Sequence, residues 1–232
     1  MLLGVIAATS VLFYSRQNNV PRVPAPRAMP QRPPLMLLTT LPIMFPQSFT
    51  LKAPPSPASK VLQSRYRILP ISVADRGELD HRHLLLMAQP QAQPAEALVD
   101  LDNWVGGGGR VLLLADPALE WPSQRPLGSL LRPPFAFADT GLLAHWGLRL
   151  QEPDHLGPAA IEVDGLRLST LSPGSLIGID RQCSVASSGF IARCHIGSGE
   201  VTVIADADFL NTAQDGDANL DVLLIELERL DH

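Results

Sequence analysis

Asp116, Asp206 and Asp208 are the side chains of this sequence best placed to do chemistry. Each follows an apolar run: RVLLLA precedes Asp116, and VTVIA precedes Asp206 and Asp208. In open parallel sheets, ligands bind beyond the carboxyl ends of the strands. Three carboxylates at that edge could gather a hard cation such as Mg²⁺ or Ca²⁺ through oxygen ligands. They could equally cap the turns that follow, as Asp does in Asx-turns. No His or further acid stands at a supporting spacing, so capping is the expected role and no metal or cofactor is expected. Thr40 and Gln89 end two other apolar runs. Thr40, Gln89, Asp116, Asp206 and Asp208 are therefore the candidate ligand-binding residues.

Nucleophilic catalysis needs an activated Ser or Cys on a sharp strand-to-helix turn, with a base nearby. No G-x-S-x-G or G-x-C-x-G occurs, and Ser198 lies in a turn that enters a strand. His81, His83, His145, His155, His195 and His232 form no H-E-x-x-H or H-x-x-E-H spacing. No catalytic residue is assigned. Gly106–Gly109 resembles a phosphate loop, but it closes a helix instead of opening one, so it reads as a helix stop. Gly197-Ser198-Gly199 lacks the third glycine of a dinucleotide fingerprint and reads as a hairpin turn. Cys183 and Cys194 are the only cysteines. A turn centred on Ser188-Gly189 places them opposite one another across a hairpin, within disulfide reach. Two buried free thiols are the alternative, and a zinc site with His195 lacks a ligand.

The elements that must position these residues are legible as alternating buried strands and helices, the pattern of a parallel sheet covered on both faces. Strands are expected at Leu35–Thr40, Arg67–Val73, His83–Ala88, Arg110–Ala115 and Val201–Ala205. Arg67–Val73 belongs near an edge, because Pro70 cannot donate to a ladder. Helices are expected from Pro57 to Tyr66, Pro94 to Val105, Asp139 to Trp146, and after an Asp217 cap from Ala218 to Leu230. Asp75–Asp80 reads as a polar turn, and 121–134 as a long surface loop. Asp164-Gly165 marks a hairpin within Ile161–Leu168.

The chain has 232 residues, 46% of them hydrophobic, enough for one large core. A net charge of −5 leaves no electrostatic footprint for nucleic acid. Basic residues are 16 Arg and 2 Lys, and 11 of the 22 prolines fall before residue 58. Met1–Tyr14 carries no charge. It is too short for a comfortable membrane span but has the length of a signal-peptide core, without the basic residues that usually precede one. Residues 16–32 hold four Arg and no acid, which by the positive-inside rule would sit in the cytoplasm. The expected organisation is a signal or anchor at 1–14, a Pro/Arg-rich linker at 15–34, and one α/β domain at 35–232 with an insertion near 148–200.

The run LLLMAQP, then PAEALVDLDNWVGGGGRVLLLADPALEWP, with LLAHWGLRL at 142–150 and IGSGEVTVIADADFLN, resembles auxiliary proteins of uncharacterised ABC-type transport systems. This is the family of the gliding-motility-associated transporter component, and the resemblance covers roughly residues 35–230. It implies a three-layer, mainly parallel sheet of flavodoxin or class I glutamine amidotransferase-like type, with an antiparallel hairpin insertion. It also implies a non-enzymatic binding or scaffolding role beside an ABC transporter permease or other membrane subunits. The domain would be periplasmic and held at the inner membrane through Met1–Tyr14, with a cytoplasmic location as the alternative. In amidotransferases the strand matching Arg110–Ala115 leads into a nucleophile elbow, whereas Asp116-Pro117 stands here. A hydrolase or amidotransferase-like enzyme with an unrecognised site at the strand carboxyl ends is the competing expectation.

Overall fold

The structure, a computed structural model, describes residues 21–44, 55–129, 131–211 and 218–232. The expected anchor Met1–Tyr14, linker residues 15–20 and the expected cap Asp217 lie outside the described residues. The first strands are β1 (Pro34–Thr39), β2 (Arg67–Pro70), β3 (Leu84–Ala88) and β4 (Arg110–Leu114). After them come β5 (Leu148–Gln151), β6 (Pro158–Val163), β7 (Leu166–Leu171) and β8 (Ser175–Gly178). The last are β9 (Cys183–Ala186), β10 (Ile191–Ile196) and β11 (Gly199–Ile204). The helices are α1 (Pro57–Arg65), α2 (Arg76–Leu79), α3 (Ala95–Gly106), α4 (Leu142–His145) and α5 (Asn219–Leu230).

A seven-stranded sheet runs in the order β2-β1-β3-β4-β11-β10-β9. Pairings among the first five are parallel, and β10 is antiparallel to both its neighbours. The three greasiest runs therefore lie side by side as β3, β4 and β11. Alternate residues face opposite ways, as strand geometry requires. Leu35, Leu37, Leu86, Leu112 and Leu114 pack with Leu62 of α1 and with Leu223 and Leu227 of α5. Met36, Leu85, Met87, Val111 and Leu113 pack with Leu79 of α2, with Leu101 and Val105 of α3 and with Leu143 of α4. The result is a mixed α/β domain with a mostly parallel central sheet and helices on both faces.

Local chemistry explains the boundaries. In α3, Ala97, Leu101 and Val105 are buried at four-residue intervals against the sheet. The helix stops at the glycine run, where Gly108 takes φ +113°. A Cβ on Gly109 would lie 2.4 Å from the Trp104 ring, so the run also lets helix and strand approach closely. Asp164 (φ 49°) and Gly165 (φ 83°) make the left-handed turn that joins β6 to β7. Two expectations shift. The strand expected to reach Val73 ends at Pro70, where the proline interrupts the ladder. The polar turn Asp75–Asp80 is instead the short helix α2, because the Asp75 side chain accepts from the Glu78 amide and caps it.

The insertion expected over 148–200 divides. β5 pairs with β8 and β6 pairs with β7 as separate antiparallel ribbons, while β9 and β10 extend the main sheet. They join it because Ile191 feeds one core face, and Ala192 and Cys194 feed the other. Cys183 and Cys194 are direct register partners and form a disulfide. That bond excludes both the free-thiol and the zinc alternatives for these sulfurs. Reduction is expected to lower unfolding free energy by about 2–3 kcal/mol, from the loop-closure entropy returned to the unfolded chain. Urea unfolding with and without reductant checks this, and coincident curves would refute it.

Candidate functional site

The five candidate residues come together along the carboxyl edge of the parallel strands, in two linked groups. Thr39 and Thr40 leave β1 and donate from their hydroxyls to the carbonyls of Ala88 and Gln89. This bridges β1 to β3. Gln89 is fully buried, with φ 44°. Its side-chain amide imitates a strand: Oε1 accepts from the Asp116 N–H at 3.0 Å, and Nε2 donates to the Asp116 carbonyl at 3.0 Å. The same nitrogen reaches the Pro134 carbonyl at 3.2 Å. Thr40 and Gln89 thus tie neighbouring segments to one another.

The second group is the aspartates. Asp116 and Asp206 are 0% exposed and Asp208 is 1% exposed. Asp116 accepts from the Ala118 amide at 2.8 Å and from the Ala207 amide at 2.9 Å, tying the end of β4 to the end of β11. Asp206 accepts from the Thr170 hydroxyl at 2.6 Å and from the Phe209 amide at 3.0 Å. Asp208 accepts from the Glu120 amide at 2.6 Å. The Glu120 carboxylate in turn receives the Ser172 hydroxyl, and the Ser172 oxygen accepts from the Gly157 amide at 2.8 Å. Two backbone bonds, Phe137 N–H to the Asp116 carbonyl and Leu119 N–H to the Phe135 carbonyl, fasten the loop 117–137 across this edge. Among the described residues, no group of three or more His, Cys, Asp or Glu side chains is arranged to hold a metal ion.

Burial dominates the electrostatics of the edge. It raises Asp116 to about 6, against the amides of Ala207, Ala118 and Asp208, which pull the value down. Burial, and then the charge of Asp116, raise Asp206 well above the ordinary carboxylate range. Burial raises Asp208 to about 7, with the Asp116 and Glu120 charges adding to it and the Glu120 amide opposing. Asp206 Oδ2 and Asp208 Oδ1 are buried without a hydrogen-bond partner, which is where a carboxyl group gains by keeping its proton. An acid whose folded value is raised holds its proton longer in the folded state than in the unfolded one. Its contribution to stability is full below about pH 4 and is lost as pH rises towards about 7. Asp164 and Glu228 act oppositely. Burial alone would raise them, but arginine partners hold them below the ordinary value, so their contribution is lost only as pH falls below about 4. Denaturation midpoints are therefore expected to fall between pH 4.5 and 7.5, conditions chosen to bracket roughly that window. The fall should flatten in Asp208→Asn. A flat profile in the unaltered protein would refute this.

One polar arrangement escaped the sequence. Asp102 of α3 and His145 of α4 are hydrogen-bonded, Oδ2 to Nε2, at 3.1 Å. The buried Trp146 indole N–H donates to the other oxygen of Asp102 at 3.0 Å. These residues stand beside a cleft of about 250 Å³ bounded by Leu98, Val99, Thr140, Gly141 and Leu142. A separation of 43 residues carries no spacing signal. The only sequence cue was that both lie on predicted helices.

No protein-family model matches the chain, and no curated protein matches its sequence. Solved structures share its fold. The exo-beta-1,4-mannosidase Op5Man5 from Opitutaceae bacterium strain TAV5 is 14% identical with a TM-score of 0.50, over 88% of this chain and 36% of the mannosidase. The mmIFT52 N-terminal domain is 13% identical with a TM-score of 0.54, over 86% of this chain and 97% of that domain. Cytoplasmic Protein STM1381 from Salmonella typhimurium LT2 is 11% identical with a TM-score of 0.52, over 85% of this chain and 99% of that protein. The chain spans about a third of the length of the mannosidase. At these identities the likeness concerns the fold alone.

The expectation of a membrane protein is corrected for the described residues, which do not include Met1–Tyr14. No helix of the described residues is long and apolar enough to cross a membrane. The Cys183–Cys194 disulfide fits a non-reducing compartment.

Proposed function

We propose that this chain is a non-enzymatic binding or scaffolding domain that works in a non-reducing compartment. One observation carries the reading: the carboxylates at the strand ends are buried and engaged with backbone amides. Groups so engaged hold loops in place, and backbone bonds at Leu119 and Phe137 fasten the chain across the edge where a parallel sheet ordinarily meets its ligand. That loop presents apolar side chains outward. Leu127, Leu131 and Phe135 are 76%, 66% and 57% exposed, and apolar side chains favour protein contacts where they gather on a surface. The parallel strands run in the order β2-β1-β3-β4-β11, which is the 2-1-3-4-5 order of flavodoxin-like sheets. This supports reading the domain as a flavodoxin or glutamine amidotransferase-like sheet in which Asp116-Pro117 occupies the elbow.

Two measurements test the reading together. Purified protein is expected to turn over none of a panel of esters, amides, phosphoesters and glycosides. A photocrosslinker at Leu127 is expected to capture a discrete partner that a Leu131→Asp/Phe135→Asp protein no longer captures. Turnover abolished by Asp116→Asn would overturn the reading in favour of an enzyme.

A further inference from the structure

We propose that the cleft between α3 and α4 is a binding site for a small apolar amine, whose ammonium group donates to His145 Nδ1. This goes beyond the scaffolding reading and does not rest on it, since it uses none of the residues at the strand ends.

An ionised carboxylate only accepts hydrogen bonds, so His145 must carry its proton on Nε2 to meet Asp102 Oδ2 at 3.1 Å. In the neutral imidazole Nδ1 is then left as an acceptor. Trp146 fixes the other carboxylate oxygen from a fully buried ring. The orientation of the imidazole is therefore set by the core, although the ring itself is exposed. Orientation by a carboxylate that is itself hydrogen-bonded is how metal and catalytic sites hold their histidines.

The lining chooses the ligand. The residues bounding the cleft are Leu98, Val99, Asp102, Thr140, Gly141, Leu142 and His145. They include one acid and no Lys or Arg, so the local field favours a cation and disfavours a carboxylate or phosphate. The walls are apolar, with Val99 60% exposed, and they suit a hydrocarbon tail. A volume of about 250 Å³ falls below the roughly 300–1,000 Å³ of drug-sized sites, so the ligand is fragment-sized. Asp139 accepts from the amides of Gly141 and Leu143. That holds the start of α4, and with it the cleft wall, in place.

The probe is benzylamine, titrated at millimolar concentration into the full chain and followed by amide chemical shifts. Shifts are expected at Val99, Gly141 and His145, and none with benzoate, which has the same ring and the opposite charge. His145→Gln is expected to weaken benzylamine about tenfold, the worth of one charge-assisted hydrogen bond. His145 is mostly solvent-exposed, so that variant keeps the fold, and its unchanged remaining shifts verify this. Three outcomes would overturn the proposal: no shifts with benzylamine, equal binding of benzoate, or unchanged benzylamine affinity in His145→Gln.

Discussion

Asp116→Ala is expected to unfold with about 3 kcal/mol less free energy than the unaltered protein at neutral pH, because one buried and one part-buried amide lose their acceptor. Asp116 receives Ala118 and Ala207 at 2.8 and 2.9 Å from a fully buried position. Each orphaned buried donor costs roughly 1–3 kcal/mol. Removing a carboxylate that crowds Asp206 returns part of that. Asp116→Asn keeps the shape but turns one acceptor into an N–H facing an amide N–H, so it should recover only part of the loss. Urea unfolding checks both variants. A loss for alanine below about 1 kcal/mol, the value of an ordinary exposed hydrogen bond, would mean that this aspartate does not hold the strand ends.

Arg193→Ala is the second large effect, at about 3 kcal/mol or more. Arg193 on β10 donates to both oxygens of Glu226 on α5, at 2.9 and 2.6 Å, and to Asp164 at the β6–β7 turn at 2.8 Å. Glu226 is 1% exposed, so removing its partner strands a charge away from water. Breaking a buried pair from one side costs far more than the pair contributes. Arg229 also approaches Glu226, at 3.3 Å, which keeps the expected loss near the lower end of the usual range. Arg193→Met with Glu226→Leu is expected to regain most of the stability, since packed apolar side chains replace such pairs at little cost. A double variant no more stable than Arg193→Ala would show that the ion pair contributes more than mutual neutralisation.

The sheet was legible because β3, β4 and β11 are buried on both faces, which leaves apolar runs broken only by Thr202, with Arg110 and Glu200 at the strand starts. The disulfide was legible because the turn centred on 188 and 189 fixes which residues oppose. What stayed hidden depends on tertiary approach. Glu120, Thr170 and Ser172 are ordinary loop and strand residues until packing brings them to Asp206 and Asp208. Nothing local couples Asp102 to His145, and the bond exists because α3 and α4 pack on the same face of the sheet. β9 and β10 looked like an appended hairpin. Their half-buried alternation does not distinguish a free ribbon from the edge of a larger sheet. The single strand-end signal, Asp after an apolar run, located the right residues but was silent on whether they meet a ligand or the chain itself.

Amide hydrogen exchange at Ala118, Glu120, Ala207 and Phe209 tests the central claim most directly, since these four N–H groups are bound by the strand-end aspartates. The account predicts protection as deep as that of the β4 and β11 amides, with Asp116→Asn lowering it at Ala118 and Ala207 first. Exchange at the rate of an open loop in the unaltered protein would contradict it, and would reopen that edge as a place for chemistry.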